Sequence, residues 1–240
     1  LQVELDKERE LSESKNRMMS TVTHEFRTPL AIIQAAVQNL ESYFDRYSVE
    51  ARDAKLHSIL TQIASLSKML EDMSLLAHGK IKAPALKRST FDLRQLVELL
   101  VYDLEHTTCE DHILIADISD GEYQVDGDAM MITRMLINLV SNAAKYSDPG
   151  TTITLSLSRD SSDVVIAVTD EGVGISEEDQ KRIFEPFYRS KSVKNVRGIG
   201  LGLAIVWDVV RLHEGELDLE STLGEGSSFL FTLPTPAVVD

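Results

Sequence analysis

Hydrophobic positions in this 240-residue chain follow helical spacing through the first third, then mix helical and alternating runs. Residues 1 to about 47 contain no glycine and one proline, Pro29. Leu11, Met18 and Val22 stand seven and four residues apart, as on one helical seam, with Glu, Lys and Arg between them. Beyond Pro29, the set Ile33, Ala36, Val37, Leu40, Phe44 and Tyr47 continues at three-to-four spacing. After a break at Ser48, Val49 and Glu50, a second stripe of nearly heptad character runs through Leu56, Ile59, Ile63, Leu66, Leu70, Met73 and Ala77. Two long amphipathic helices and a tight turn predict an αα-hairpin. Such a hairpin has too little interior to bury both stripes, which favours pairing with a second copy into an antiparallel four-helix bundle over packing on its own chain.

Gly79 to Ser89 holds a glycine, a proline and four basic residues, and predicts a linker over 81–89 between a helical portion, 1–80, and a second portion, 90–236. A helix is expected from Phe91 to about His106, burying Leu93, Leu96, Val97, Leu100 and Leu104. A short β-rich run covers His112 to Ile118, and Asp128 can cap a helix carrying Met131, Met135, Leu136, Leu139 and Val140. Alternating runs at Thr151–Arg159 and Asp163–Asp170 predict a hairpin. Ser176 to Asp179 resembles a capping box opening a short helix, and Gly202 to Leu212 is an apolar helix. Glu216–Glu220 and Ser227–Leu233 form a second hairpin. Helices interleaved with mostly antiparallel strands indicate an α/β sandwich with one layer of each.

Composition narrows the function. At 43% hydrophobic and 26% charged the chain is an ordinary globular sequence, and a net charge of -15 opposes binding to nucleic acid or anionic lipid. Cys109 is the single cysteine, so no internal disulfide can form; it lacks a basic activator, and a reducing, cytoplasmic setting fits. No apolar run is long enough to span a bilayer, so no membrane contact is expected from this segment. The chain begins with Leu rather than Met, which suggests a piece of a longer protein and leaves room for a sensor or membrane anchor ahead of it.

Five short stretches carry the candidate chemistry. In His24-Glu25-Phe26-Arg27-Thr28-Pro29-Leu30, helical geometry puts His24 and Thr28 on one face a turn apart, with Glu25 about 100° round. Pro29 opposes the Glu25 carbonyl and is expected to bend the helix just past the histidine. An imidazole nucleophile, a proton acceptor and a local kink suit a reactive site, although most histidines on amphipathic helices do no chemistry. Asn138, Asn142 and Lys145 share one helical face; amide oxygens suit a hard cation such as Mg²⁺, and the lysine suits phosphate. Asp170-Glu171-Gly172-Val173-Gly174 closes a strand with an acceptor for an exocyclic amine, as adenine has, and glycines for a tight turn. Gly198-Ile199-Gly200-Leu201-Gly202-Leu203 opens a helix with unobstructed amides that can bind phosphate. Between these glycine clusters lie Phe184 to Arg189 and the polar run Ser190 to Arg197, a mobile lid offering Arg189, Lys191 and Lys194 to polyphosphate, or else a plain surface loop. Each stretch alone is weak, since solvated asparagines and Asp-x-Gly turns are common. Four such clusters within about 65 residues converge on one class of ligand, a nucleotide.

In this order the stretches resemble the H, N, G1, F and G2 boxes of two-component sensor histidine kinases, over nearly the whole chain. The resemblance implies a dimeric histidine-phosphotransfer hairpin followed by an ATP-binding domain of the Bergerat fold. It implies His24 as phosphoacceptor, Glu25 as the base taking its ring proton, and Thr28 as the position orienting water for dephosphorylation of a partner. Asn142 would ligate Mg²⁺ with Asn138 in support, Lys145 would touch phosphate, Tyr146 would pack near adenine, and Asp170 would read its amine. Gly172 and Gly174 of the G1 box, Phe184, Phe187 and Arg189 of the F box and lid, and Gly198, Gly200, Leu201 and Gly202 complete the nucleotide site. Many members carry threonine where this chain has Ile199. ATP, Mg²⁺, a second copy of the chain and a response-regulator receiver domain are the implied cofactors and partners. Two other readings are an ATP-driven conformational machine of the same superfold, which leaves the His24 stretch unexplained, and a degenerate dimeric scaffold, against which the intact boxes argue.

Overall fold

The structure is a computed structural model that describes residues 2–79, 86–160, 163–190 and 198–234. The chain forms two compact units, one helical and one α/β. The helical unit is built from α1 (Gln2–Tyr43) and α2 (Val49–Gly79), joined through a 3₁₀ turn at Phe44–Arg46. Pro29 is accommodated inside α1, which continues past it for more than three turns. The side chains of Leu11 and Met18, from the predicted seam, lie outside the described residues. Ser48 starts α2 by accepting the Ala51 amide on Oγ at 3.2 Å, which supplies a partner for a donor the helix leaves orphaned. Cations cover the aromatics of the turn: Arg46 lies over Tyr43, Arg52 over Phe44 and Lys55 over Tyr47.

Both stripes expected of this hairpin are exposed along much of their length. Val37, Phe44, Leu56, Ile63 and Leu70 are each open to solvent, whereas Pro29 and Ala36 are the buried residues among the described side chains of α1. Two helices alone do not enclose those positions.

The α/β unit contains β1 (Ser89–Asp92), α3 (Leu93–Glu105), β2 (Ile113–Ile118), β3 (Gln124–Gly127), α4 (Ala129–Tyr146), β4 (Thr152–Asp160) and β5 (Asp163–Asp170). It continues with α5 (Glu177–Gln180), α6 (Gly202–Leu212), β6 (Leu217–Thr222) and β7 (Gly226–Pro234). The main sheet has the order β2-β4-β5-β7-β6, antiparallel except for the parallel pair β2 and β4. That parallel pair requires a crossover, and α4 lies within the connection. Register aligns Leu155 with Val168, Val168 with Phe229 and Phe229 with Leu219, so one ladder face is apolar from strand to strand. On it lie Val97 and Leu100 of α3, Leu136, Leu139 and Val140 of α4, and Ile205, Val206 and Val209 of α6, all buried. Each such side chain contributes about 1.5–3 kcal/mol by leaving water. The other face carries Thr152, Thr154, Ser156 and Thr169, the polar half of a sheet covered on one side. One layer of helices on one layer of sheet is the expected sandwich.

Three details depart from expectation. Phe91 and Asp92 belong to β1, which pairs with β3 as a separate two-stranded sheet; the helix starts at Leu93, where the Asp92 side chain accepts the Arg94 amide at 2.9 Å. Strands of four residues are too short to show alternation, and the apolar Phe91 sits in phase with the helix that follows. Ser89, placed in the linker by composition, is the first residue of β1, and 81–85 of that linker lie outside the described residues. Leu96 and Met131, expected in the core, are only half-buried.

Candidate functional site

Three loops converge on the carboxyl end of α4. The helix begins at Asp128, whose Oδ1 accepts the amides of Met130 and Met131 at 3.1 and 3.2 Å. Its last turns present Asn138, Asn142, Lys145 and Tyr146. Asn138 is buried, and its Nδ2 has no hydrogen-bond partner; Asn142 is half-buried one turn on, and Lys145 is exposed. A second orphaned buried atom, Ser147 Oγ, follows directly after the helix. Native interiors leave few such groups unsatisfied, so two at one helix end are the signature of a place completed by something else.

The second loop is the turn after β5. Alternation along that strand points Val164, Ile166 and Val168 into the core and brings Asp170 to the same buried face, where an apolar residue would otherwise sit. Its Oδ1 accepts the Gly172 amide at 2.9 Å. Burial pushes the Asp170 carboxyl above its usual range, and the Gly172 and Ser227 amides pull part of the way back. A side chain at Gly172 would place its Cβ 2.5 Å from the Tyr146 carbonyl oxygen, and at Gly174, where φ is +66°, 2.0 Å from the Thr222 carbonyl oxygen. Only glycine allows these approaches, and they let Val173 donate its amide to the Tyr146 carbonyl at 3.1 Å. Tyr146 is half-buried, its phenol raised by burial and lowered in part by the positive charge of Arg189.

The third loop leads into α6. A Cβ at Gly202 would stand 3.7 Å from both Asn138 Oδ1 and Asn142 Nδ2, so the helix starts against the asparagine pair. Gly198 and Gly200 precede it, and the adjoining Leu201 is buried. The free amides of a helix start therefore face two polar side chains beside an orphaned donor.

Phe184 packs its ring against Trp207 of α6 at 5.7 Å between centroids, and edge-on to Phe229 of β7 at 6.4 Å. Phe187 takes a left-handed φ of 66°, unusual for a residue with a Cβ, and reverses the chain ahead of Tyr188 and Arg189. Lys191, Lys194 and the rest of the predicted lid through Arg197 lie outside the described residues.

The structure thus gathers Asn138, Asn142, Lys145, Tyr146, Asp170, Gly172, Gly174 and Gly202 around one helix end. His24, Glu25 and Thr28 are on α1 in the helical unit. There His24 is exposed, Glu25 is half-buried, and Thr28 Oγ1 donates to the His24 carbonyl at 3.5 Å, the outer limit of a hydrogen bond. Two further polar residues have no part in the nucleotide site that the sequence predicts. Ser227 is buried opposite Asp170 in the ladder, and its Oγ lies 3.0 Å from Ser221 Oγ. Alternation through Ser227, Phe229 and Phe231 is the signal that places it inward. Asp179 accepts from Ser176, at the spacing of the capping box, and also from the hydroxyls of Tyr188 and Ser190, which no local spacing reveals. Among the described residues no group of three His, Cys, Asp or Glu could hold a metal ion, and no helix is long and apolar enough to cross a membrane.

Comparison with known proteins agrees with both units. Residues 14–80 match the family profile of the His Kinase A (phospho-acceptor) domain, and residues 127–237 match that of the histidine kinase-, DNA gyrase B-, and HSP90-like ATPases. The chain is 33% identical over 98% of its length to the adaptive-response sensory kinase SasA of Thermosynechococcus vestitus, covering 63% of that protein. It is 32% identical over 91% of its length to the signal transduction histidine-protein kinase/phosphatase MprB of Mycobacterium ulcerans, covering 43% of that protein. The chain therefore spans less than two thirds of these relatives. Among solved structures, the histidine kinase AdeS of Acinetobacter baumannii aligns with a TM-score of 0.68 and 26% identity, covering 88% of this chain and 98% of that one.

Proposed function

Because the chain belongs to the two-component sensor histidine kinases, we propose that it uses ATP to phosphorylate its own His24 and then passes the phosphoryl group to an aspartate of a response-regulator receiver domain. The observation that carries this reading is the later half of α4, where Asn138, with its orphaned Nδ2, and Asn142 meet the start of α6 at Gly202, and where Ser147, with its orphaned Oγ, lies with Asp170 against Gly172.

In this reading Asp170 accepts the exocyclic amine of adenine, which compensates the burial that otherwise disfavours its charge. Tyr146 packs beside the base, and Lys145, Arg189 and the amides opening α6 face the phosphates. The amide oxygen of Asn142, supported by Asn138, would hold Mg²⁺ together with phosphate oxygens, a donor set that suits a hard cation held partly by its substrate. Once bound, the ion neutralises triphosphate charge. The neutral ring of His24 attacks the γ-phosphorus with one nitrogen, the bond to ADP breaks, and Glu25 takes the proton leaving the other nitrogen. Positioning and charge neutralisation supply most of such a rate, so little covalent chemistry is asked of the protein.

In this reading the labour divides between 1–80 as dimerisation and acceptor portion, a linker from 81, and an ATP-binding portion that begins with β1 at Ser89 and runs to 236. The exposed stripes of α1 and α2 support pairing with a second copy. Thr28, one turn from His24, would orient water for dephosphorylating the receiver, a role in keeping with the kinase/phosphatase named among the relatives. Thr28→Ala should keep self-labelling and slow receiver dephosphorylation at least about tenfold, a general acid–base-sized effect; an unchanged rate refutes the role. With γ-labelled ATP and Mg²⁺, wild type should acquire label, and Asn142→Ala should lose it about 100-fold or more, as for a group stabilising the transition state. Label undiminished in Asn142→Ala contradicts the site. An ATPase that drives conformational work by the same fold would bind ATP and leave His24 unlabelled.

A further inference from the structure

Arg189 stands between two residues whose hydroxyls end on the same carboxylate. Tyr188 donates from its phenol to Asp179 Oδ1 at 2.6 Å, and Ser190 donates from Oγ to Asp179 Oδ2 at 2.7 Å. Asp179 is itself tethered: Ser176 Oγ donates to its Oδ2 at 2.8 Å, and the Asp179 amide donates back to Ser176 Oγ at 3.2 Å. The Arg182 guanidinium covers the Tyr188 ring at 4.3 Å from its centroid and is held in turn by Glu185 at 3.1 Å. The Tyr188 amide donates to the Glu185 carbonyl at 3.1 Å, immediately after the left-handed Phe187. A backbone reversed at a β-carbon-bearing residue persists only where its surroundings hold it. Here the holding groups are hydroxyls aimed at one carboxylate.

An arginine side chain has many rotamers, and ordering it at binding time costs affinity. Fixing the backbone on both sides of Arg189 removes part of that cost in advance. A Coulombic interaction of Arg189 with the Tyr146 phenol agrees with a guanidinium directed toward the α4 side of the cluster. From this geometry we infer that Asp179 is a positioning residue: by gripping Tyr188 and Ser190 it aims Arg189 at the phosphates of the nucleotide. The inference rests on the reading of that cluster as an ATP site. The Tyr188 and Ser190 hydrogen bonds also hold the Asp179 carboxyl below its usual range, as expected of a carboxylate serving as common acceptor.

The test compares ATP and adenosine binding, in the presence of Mg²⁺, for the whole chain and its variants by titration calorimetry. Asp179→Ala is expected to weaken ATP about tenfold while adenosine affinity stays within twofold, the scale of one charge-assisted hydrogen bond. Tyr188→Phe and Ser190→Ala should each reproduce part of that loss. In an Arg189→Ala background Asp179→Ala should add nothing further, because it acts through the arginine. Three results overturn the inference: equal loss for adenosine and ATP, which would mark a general structural role; additive losses in the double variant; or unchanged ATP affinity in Asp179→Ala. If the wild type fails to bind ATP, or Asp170→Asn binds it as tightly, the reading of the site falls and this inference with it. ATP binding that depends on Asp170 and not on Asp179 overturns the inference alone.

Discussion

In the proposed site, Asp170 is a side chain set against stability for the sake of binding. It takes a core position in β5, so its charge is desolvated and its carboxyl is raised. A raised folded value means the folded chain holds the proton more tightly than the unfolded chain. Stability therefore falls as pH rises from the ordinary carboxylate range, near about 3.9, through the raised value, and the penalty is complete above it. Asp170→Asn is expected to be more heat-stable than wild type at neutral pH without nucleotide, to lose that part of the pH dependence, and to bind ATP at least about tenfold more weakly, the worth of a hydrogen bond to a charged group. Thermal melts across pH 3.5 to 8 with parallel ATP titrations check all three, and a variant less stable at neutral pH would contradict the account. This position is legible in sequence, since the alternation Val164, Ile166, Val168 forces Asp170 inward. Asp179 is not legible: Tyr188 and Ser190 lie nine and eleven residues away and meet it only after the chain reverses at Phe187.

At the scale of elements, α4 and α6 make the site because they are joined at both ends. Near the carboxyl end of α4 the asparagines meet the start of α6 at Gly202. At the opposite end His213, buried just after α6, accepts the Asp128 amide on Nε2 at 2.9 Å and donates from Nδ1 to the Val209 carbonyl at 2.8 Å. Asp128 also accepts the Lys87 amide on Oδ2 at 3.1 Å, so the strand leading into this unit is tied to the same point. His213→Leu leaves a buried amide without an acceptor and should cost about 1–3 kcal/mol. The fluorescence of Trp207, the chain's single tryptophan and itself on α6, reports this in urea as a lower midpoint with unchanged slope; an unmoved midpoint would contradict the clasp. Sequence periodicity finds both helices because each is long and one-faced. It has no access to the bond of His213 with Asp128, 85 residues away in the chain, nor to the pairing of β1 with β3, where four-residue strands carry no period. Pro29 shows that a missing amide does not end a helix: α1 carries the proline within one continuous run.

For the whole molecule, the proposed acceptor His24 and the proposed ATP site reside in different units, more than 100 residues apart in sequence. A single polypeptide divided this way must bring His24 to the γ-phosphate by motion or by pairing, and the open apolar stripes of α1 and α2 favour a dimer, which light scattering would read as twice the chain mass. The most direct test of the central claim is chemical. The chain is incubated with γ-labelled ATP and Mg²⁺, and the label is challenged with acid and with base. The account predicts a label that acid removes and base spares, as for a phosphorus–nitrogen bond, and that is absent from His24→Gln although the variant still binds ATP. Label of the same stability persisting in His24→Gln, or a wild type that binds ATP and takes no label, would contradict it.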